Sequence, residues 1–165
     1  MDNAAANGHL KMVKWLHRQQ AWCTKQAMNR AAGNGHLEIV IFLHENRSEG
    51  CTTDAMDLAA GNGQLRIMKW LDEYRTEGCT HNAMDLAAKK GFLYVMKWLR
   101  GNRSEGCSIE AMDSAAASGH WEVIQWLHAH YTAGCSRIAL ADAIANGHWK
   151  IAKWLRRTFP DMFGI

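Results

Sequence analysis

Cys23, Cys51, Cys79, Cys107 and Cys135 lie 28 residues apart, and a repeat at fixed spacing constrains a fold before any single element is read. Gly35, Gly63, Gly91, Gly119 and Gly147 keep the same interval. So do Leu43, Leu71, Leu99, Leu127 and Leu155, each preceded by an aromatic residue: Phe42, Trp70, Trp98, Trp126 or Trp154. Only the first interval differs. Trp15 to Phe42 spans 27 residues, so one residue is missing between Leu16 and Cys23, in a connection where loops tolerate deletion. The register divides the chain into a partial repeat 1–22, full repeats 23–50, 51–78, 79–106 and 107–134, a last repeat 135–159 and a tail 160–165. Together they are expected to form a single repeat domain over 1–165. Met1–Ala5 aligns with Met56–Ala60, so the first repeat is expected to lack its opening residues.

Each repeat reads as two helices. Thr24, Thr52, Thr80, Ser108 and Ser136 follow the cysteines, where a hydroxyl accepts a bond from a first-turn N–H and starts helix one. Helix one ends at pairs such as Asn62-Gly63, which favour a turn. Helix two is predicted from about Leu65 to Arg75, and its apolar residues Leu65, Ile67, Met68, Trp70 and Leu71 cover more than one stripe, so it needs neighbours on two sides. Gly50, Gly78, Gly106 and Gly134 are then placed to close that helix in the left-handed conformation. Paired alanines at 4/5, 31/32, 59/60, 87/88 and 115/116 admit close approach of neighbouring helices. A hairpin of 28 residues buries too little surface to fold alone, whereas stacked copies share a core.

Composition removes several function classes. With 48% hydrophobic and 21% charged residues the chain is of soluble globular type, without an apolar run of membrane-spanning length. Met1–Leu10 carries no export or organelle signal, so a cytoplasmic location, or the nucleus, is expected. A net charge of +3 from 19 basic and 16 acidic residues makes no dedicated polyanion binder. Equivalent cysteines in a helical stack lie about 10 Å apart, too far for disulfides, and no Cys-x-x-Cys pair occurs. They read as small buried residues ahead of each cap. His9/His17, His36/His44 and His120/His128 are eight apart, a rise of about 12 Å that no single zinc bridges. The Gly-His histidines are instead expected to hydrogen-bond at the start of helix two or to bridge loops. No GxSxG, Walker or dinucleotide motif occurs. Asp57, Asp85 and Asp113 repeat with the scaffold and are expected to bond backbone groups of the adjoining loop. No catalytic residue, metal or cofactor is expected, and the protein is read as a non-enzyme. The tryptophans, four of them preceded by Lys14, Lys69, Lys97 and Lys153, resemble a base-stacking platform, but a fixed aromatic beside an obligatory leucine is the mark of packing between repeats.

The run Ala55-Met56-Asp57-Leu58-Ala59-Ala60-Gly61-Asn62-Gly63-Gln64-Leu65-Arg66-Ile67-Met68-Lys69-Trp70-Leu71 resembles the ankyrin repeat, in the part that family writes P-L-H-x-A-A-x-x-G-H-x-x-I-V-x-x-L. Gly8-His9, Gly35-His36, Gly119-His120 and Gly147-His148 carry the Gly-His pair, replaced by Gly63-Gln64 and Gly91-Phe92. The resemblance covers nearly the whole chain. Two departures matter: the T-P-L-H opening lacks its proline, and the 28-residue period falls short of the roughly 33 typical of the family. The resemblance therefore implies an all-α, right-handed-stacked solenoid of helical hairpins, an ankyrin-like repeat array without a complete β-hairpin finger.

Packing does not dictate a position that changes from repeat to repeat. Behind the Met-Asp pair stand Asn3, Arg30, Leu58, Leu86, Ser114 and Asp142, which in the ankyrin pattern correspond to the inner-helix row. Leu58 and Leu86, with Lys89, Lys90 and Phe92, make a candidate apolar patch with a basic rim, so Arg30, Leu58, Leu86, Lys89, Lys90, Phe92 and Ser114 are the expected partner-binding residues. The function expected from the resemblance is that of a non-enzymatic, monomeric module binding a partner protein through its inner-helix and loop face, without a membrane. A nucleic-acid-binding scaffold and the recognition arm of a longer protein are the alternatives. Pro160 is expected to stop the last helix while Phe159 and Phe163 fold back as a cap.

Overall fold

The structure, a computed structural model, describes residues 1–163, the last of them in its backbone alone, and every regular element among them is helical. The chain separates into two compact units, Met1–Ala83 and Met84–Ile165.

In the first unit, α1 (Asp2–Ala6) and α2 (Leu10–Arg18) form the opening hairpin. It is followed by α3 (Lys25–Gly33) with α4 (Leu37–Asn46), and α5 (Asp54–Gly61) with α6 (Leu65–Tyr74). First helices pack on first helices, α1 on α3 and α3 on α5, while each also packs on the second helix of its own hairpin. The alanines explain the closeness: Ala31, Ala32, Ala59 and Ala60 are wholly buried. A larger side chain there would force helices apart in an interior with no spare volume. Gly33 is part of the same seam, since a Cβ on it would stand 2.8 Å from that of Leu58. Along α6, Ile67, Met68 and Leu71 are buried, the two-sided burial that its wide apolar face predicts.

α7 (His81–Lys89) runs through the point where the chain divides. In the second unit come α8 (Leu93–Asn102), the hairpin of α9 (Ile109–Ala117) and α10 (Trp121–His130), and that of α11 (Arg137–Ala145) and α12 (Trp149–Thr158). A short α13 (Pro160–Phe163) follows. α9 packs on α11, and α11 on α12. α12 stops at Thr158 ahead of the proline, and Phe159 turns back to meet His128 and Trp154 edge-on at 5.7 and 6.0 Å. The expected return of Phe163 falls on a side chain outside those described.

One expectation about the loops is corrected. Gly50, Gly78, Gly106 and Gly134 have φ near +70°, as expected, but they do not close helix two. α4, α6, α8 and α10 end at Asn46, Tyr74, Asn102 and His130, and the next residue, Arg47, Arg75, Arg103 or Tyr131, is already extended. The chain leaves the helix straight, and the glycine bends it later, just before the cysteine.

Candidate interaction surface

The repeating polar residues are occupied in holding one repeat to the next. Asp57 accepts the backbone N–H of Thr80 at 2.8 Å and its hydroxyl at 2.7 Å. The Thr80 oxygen then accepts the N–H of Asn82 at 3.1 Å, which caps α7. Asp2 holds Thr24 in the same way, Asp85 holds Ser108, and Asp113 holds Ser136. In the repeat that has asparagine instead, Asn29 accepts the Thr52 N–H at 3.0 Å and donates to its hydroxyl at 2.8 Å. The carboxylates thus bond the cap of the following repeat, a more distant partner than their own loop. Each satisfies a donor and orients a cap. Burial raises the pKa of Asp57 above its ordinary value, although the two Thr80 bonds oppose the shift.

The turns between helices add a second tie. Asn34, Asn62 and Asn146 each donate from the side-chain amide to a carbonyl at the end of the preceding repeat's first helix, Ala6, Gly33 and Ala117, at 2.8 to 2.9 Å. The Gly-His histidines depart from expectation at the helix start: His9, His36, His120 and His148 precede helix two but make no side-chain cap bond. Loop bridging is what His120 does, its Nε2 lying 3.1 Å from the Lys89 carbonyl, a bond that requires the proton on that nitrogen. Its ring covers Gly91, where an added Cβ would approach to 2.8 Å, and Gly91 also has φ +76°.

Sequence reasoning missed a third device, legible as the thrice-repeated Arg-x-Glu-Gly-Cys. Arg47 pairs with Glu49 at 2.6 Å, Arg103 with Glu105 at 2.6 Å, and Arg75 with Glu77. The pairs of the first unit sit beside the cysteine that opens their own repeat, Arg47 and Glu49 against Cys23, Arg75 and Glu77 against Cys51. Burial raises the Glu77 pKa, but the bond from Arg75, a backbone N–H and the Arg75 charge prevail and hold it at about 2. Burial pushes the thiols of Cys51, Cys107 and Cys135 up to about 11. Such thiols stay protonated and are poor nucleophiles at neutral pH. No group of three or more metal-ligating side chains occurs among the described residues.

The tryptophan positions are half-buried rather than open, except Trp15 at the first repeat, 54% exposed. A histidine of the preceding repeat meets several of these rings edge-on: His17 on Phe42 at 5.5 Å, His44 on Trp70 at 5.2 Å and His128 on Trp154 at 5.1 Å. This is packing between repeats, and it removes the continuous platform of open rings.

The residues of the varying row are placed as follows. In the first unit Arg30 is exposed on α3, and Leu58, 37% exposed on α5, lies over Gly33, one turn along α3 from Arg30. In the second, Leu86 is half-buried on α7, Lys89 and Lys90 are exposed at its end, and Phe92 is half-buried with its ring 5.9 Å from that of Tyr94. Ser114 is half-buried on α9, its hydroxyl 3.5 Å from the Ala111 carbonyl. The fixed residues of the repeat are thus bonded or buried, and the changing ones remain in reach of solvent.

A family model of ankyrin repeats, in three copies, matches residues 1–85. The chain belongs to the ankyrin repeat family. Ankyrin repeats are in general protein–protein interaction modules and are typically non-enzymatic. No curated protein matches this chain. The absence of strands among the described residues agrees with the abbreviated repeat, whose connection is too short for a full ankyrin finger. No helix among them is long and apolar enough to cross a membrane.

Proposed function

We propose that this ankyrin-repeat chain is a non-enzymatic binding module that holds a partner protein through the varying side chains of its first helices and adjoining loops. Arg30 and Leu58 contribute from the first unit, and Leu86, Lys89, Lys90, Phe92 and Ser114 from the second. The observation that carries this reading is the contrast within the first helices before the last repeat: the fixed Asp or Asn is tied to the next repeat's cap, while its immediate neighbour changes identity and stays accessible. Apolar and arginine side chains among such accessible positions are the types that dominate binding energy at interfaces. Residues 1–165 acting as one domain is part of the proposal, supported by the unbroken 28-residue period from Cys51 through Cys135.

The test is affinity capture from lysate with the intact chain beside the Leu58→Arg, Leu86→Arg double variant, each checked for native helicity. The intact chain is expected to retain a set of proteins that the variant loses, with modest sensitivity to salt. Identical sets would refute the assignment of these residues. Retention dominated by nucleic acid, falling steeply with salt, would favour the alternative scaffold.

A further inference from the structure

The last repeat departs from the others in a way that hollows its outer face. Elsewhere the second residue of the alanine pair is small and the fifth residue after the turn glycine is large: Ala60 with Met68, Ala88 with Met96, Ala116 with Ile124, all wholly buried. In the last repeat the sizes are exchanged. Ile144 stands in the alanine place and Ala152 in the large one. The result is a cleft of about 320 Å³ between α11 and α12, lined by Ile144, Trp149, Ala152, Lys153, Arg156 and Arg157. That volume is at the low end of the roughly 300–1,000 Å³ of ligand clefts. Its aromatic wall is open: Trp149 is 66% exposed.

The rim is of one sign. Lys153, Arg156 and Arg157 are exposed at i, i+3 and i+4 on α12, a spacing at which like charges repel, and no acidic side chain lines the cleft. The helix dipole favours cations in a last turn, yet α6 carries none there and α8 only Arg100. An apolar floor beneath unopposed cations complements a ligand that is anionic around an apolar centre. Nucleic acid fits less well. Stacking tracks use successive open rings, whereas Trp154 is engaged by His128 and Phe159, and Trp121 is covered by the Lys150 ammonium at 4.4 Å.

We infer that the outer face of the last repeat, with its Ile144–Trp149–Ala152 hollow and its Lys153–Arg156–Arg157 rim, is a docking site for an acidic peptide segment that inserts an apolar side chain. The site is separate from the varying row of first-helix residues and stands or falls without it. The carboxylates meet the three cations, and the apolar side chain displaces water from the hollow against the indole.

The experiment uses the full chain and fluorescence anisotropy, with a short labelled peptide carrying glutamates on both sides of a leucine–phenylalanine pair. This peptide is expected to bind saturably. A version with glutamines for glutamates and one with alanines for the apolar pair should each bind at least about tenfold more weakly. Arg156→Glu, which alters an exposed side chain only, and Ala152→Phe, which fills the hollow, should each cost about tenfold or more. Lys11→Glu with Lys25→Glu, exposed cations of the first unit, should leave binding unchanged. The inference is overturned if the peptide fails to bind, if the alanine version binds as well, if the charge reversals in the first unit weaken binding equally, or if a single-stranded oligonucleotide is preferred and Ala152→Phe leaves it bound.

Discussion

At the scale of single residues, the polar groups that look reactive are the ones most firmly committed to structure. Glu77 illustrates the sign of the effect. Its folded pKa of about 2 lies below the ordinary 4.5, so its pairing with Arg75 contributes stability above about pH 4.5 that is lost as pH falls toward 2. Partial exposure of both side chains limits that contribution to on the order of 1 kcal/mol. Urea unfolding followed between about pH 5 and pH 2 should therefore show a smaller loss for Glu77→Gln than for the native chain. An equal loss would mean that the pair is silent. The cysteines make an opposite case, their protonated forms favoured by burial. Iodoacetamide at neutral pH should label Cys51 and Cys135 at least about a hundredfold more slowly in the folded chain than in urea. Fast native labelling would contradict their structural role.

At the scale of the element, each helical hairpin is set by a few residues whose effects are separable. Gly91 combines a left-handed backbone with the His120 ring lying over it. Gly91→Ala is expected to cost about 1–2 kcal/mol for the backbone and about 1 more for displacing the His120 bond to Lys89. Adding His120→Ala to Gly91→Ala should recover part of the local crowding but none of the backbone cost, readable from unfolding midpoints. Much of this element was legible in the sequence. The hydroxyl after each cysteine marked the cap, since Thr24, Ser108 and Ser136 all accept a first-turn N–H. The turn glycines and buried alanines were equally readable, because period and residue size leave few solutions. What escaped notice depends on how far along the chain a side chain reaches. Nothing in the spacing tells that Asp113 bonds the cap of the next repeat, or that Arg75 and Glu77 lie against Cys51 at the start of their own repeat. Gly50 was legible as a positive-φ residue but not as a bend beyond the helix, because the sequence does not mark where helix two lets go. The Ile144/Ala152 exchange was visible as two departures from the repeat. Only the packing joins them into a hollow.

At the scale of the whole molecule, a repeat array derives its stability from neighbours, so its fixed residues serve cohesion and its variable ones are free of that task. Asp57 and Leu58 stand side by side on α5 and embody the two roles: one bonds Thr80 twice, the other faces outward over Gly33. The most direct measurement is a pair of urea unfolding curves, for Asp57→Ala and for Leu58→Arg. Asp57→Ala strands the Thr80 N–H and is predicted to lose about 1.5–3 kcal/mol, while Leu58→Arg should stay within about 0.5 kcal/mol of the native chain, as exposed substitutions do. Equal losses for the two, or a larger one for Leu58→Arg, would contradict the division of labour on which the account rests.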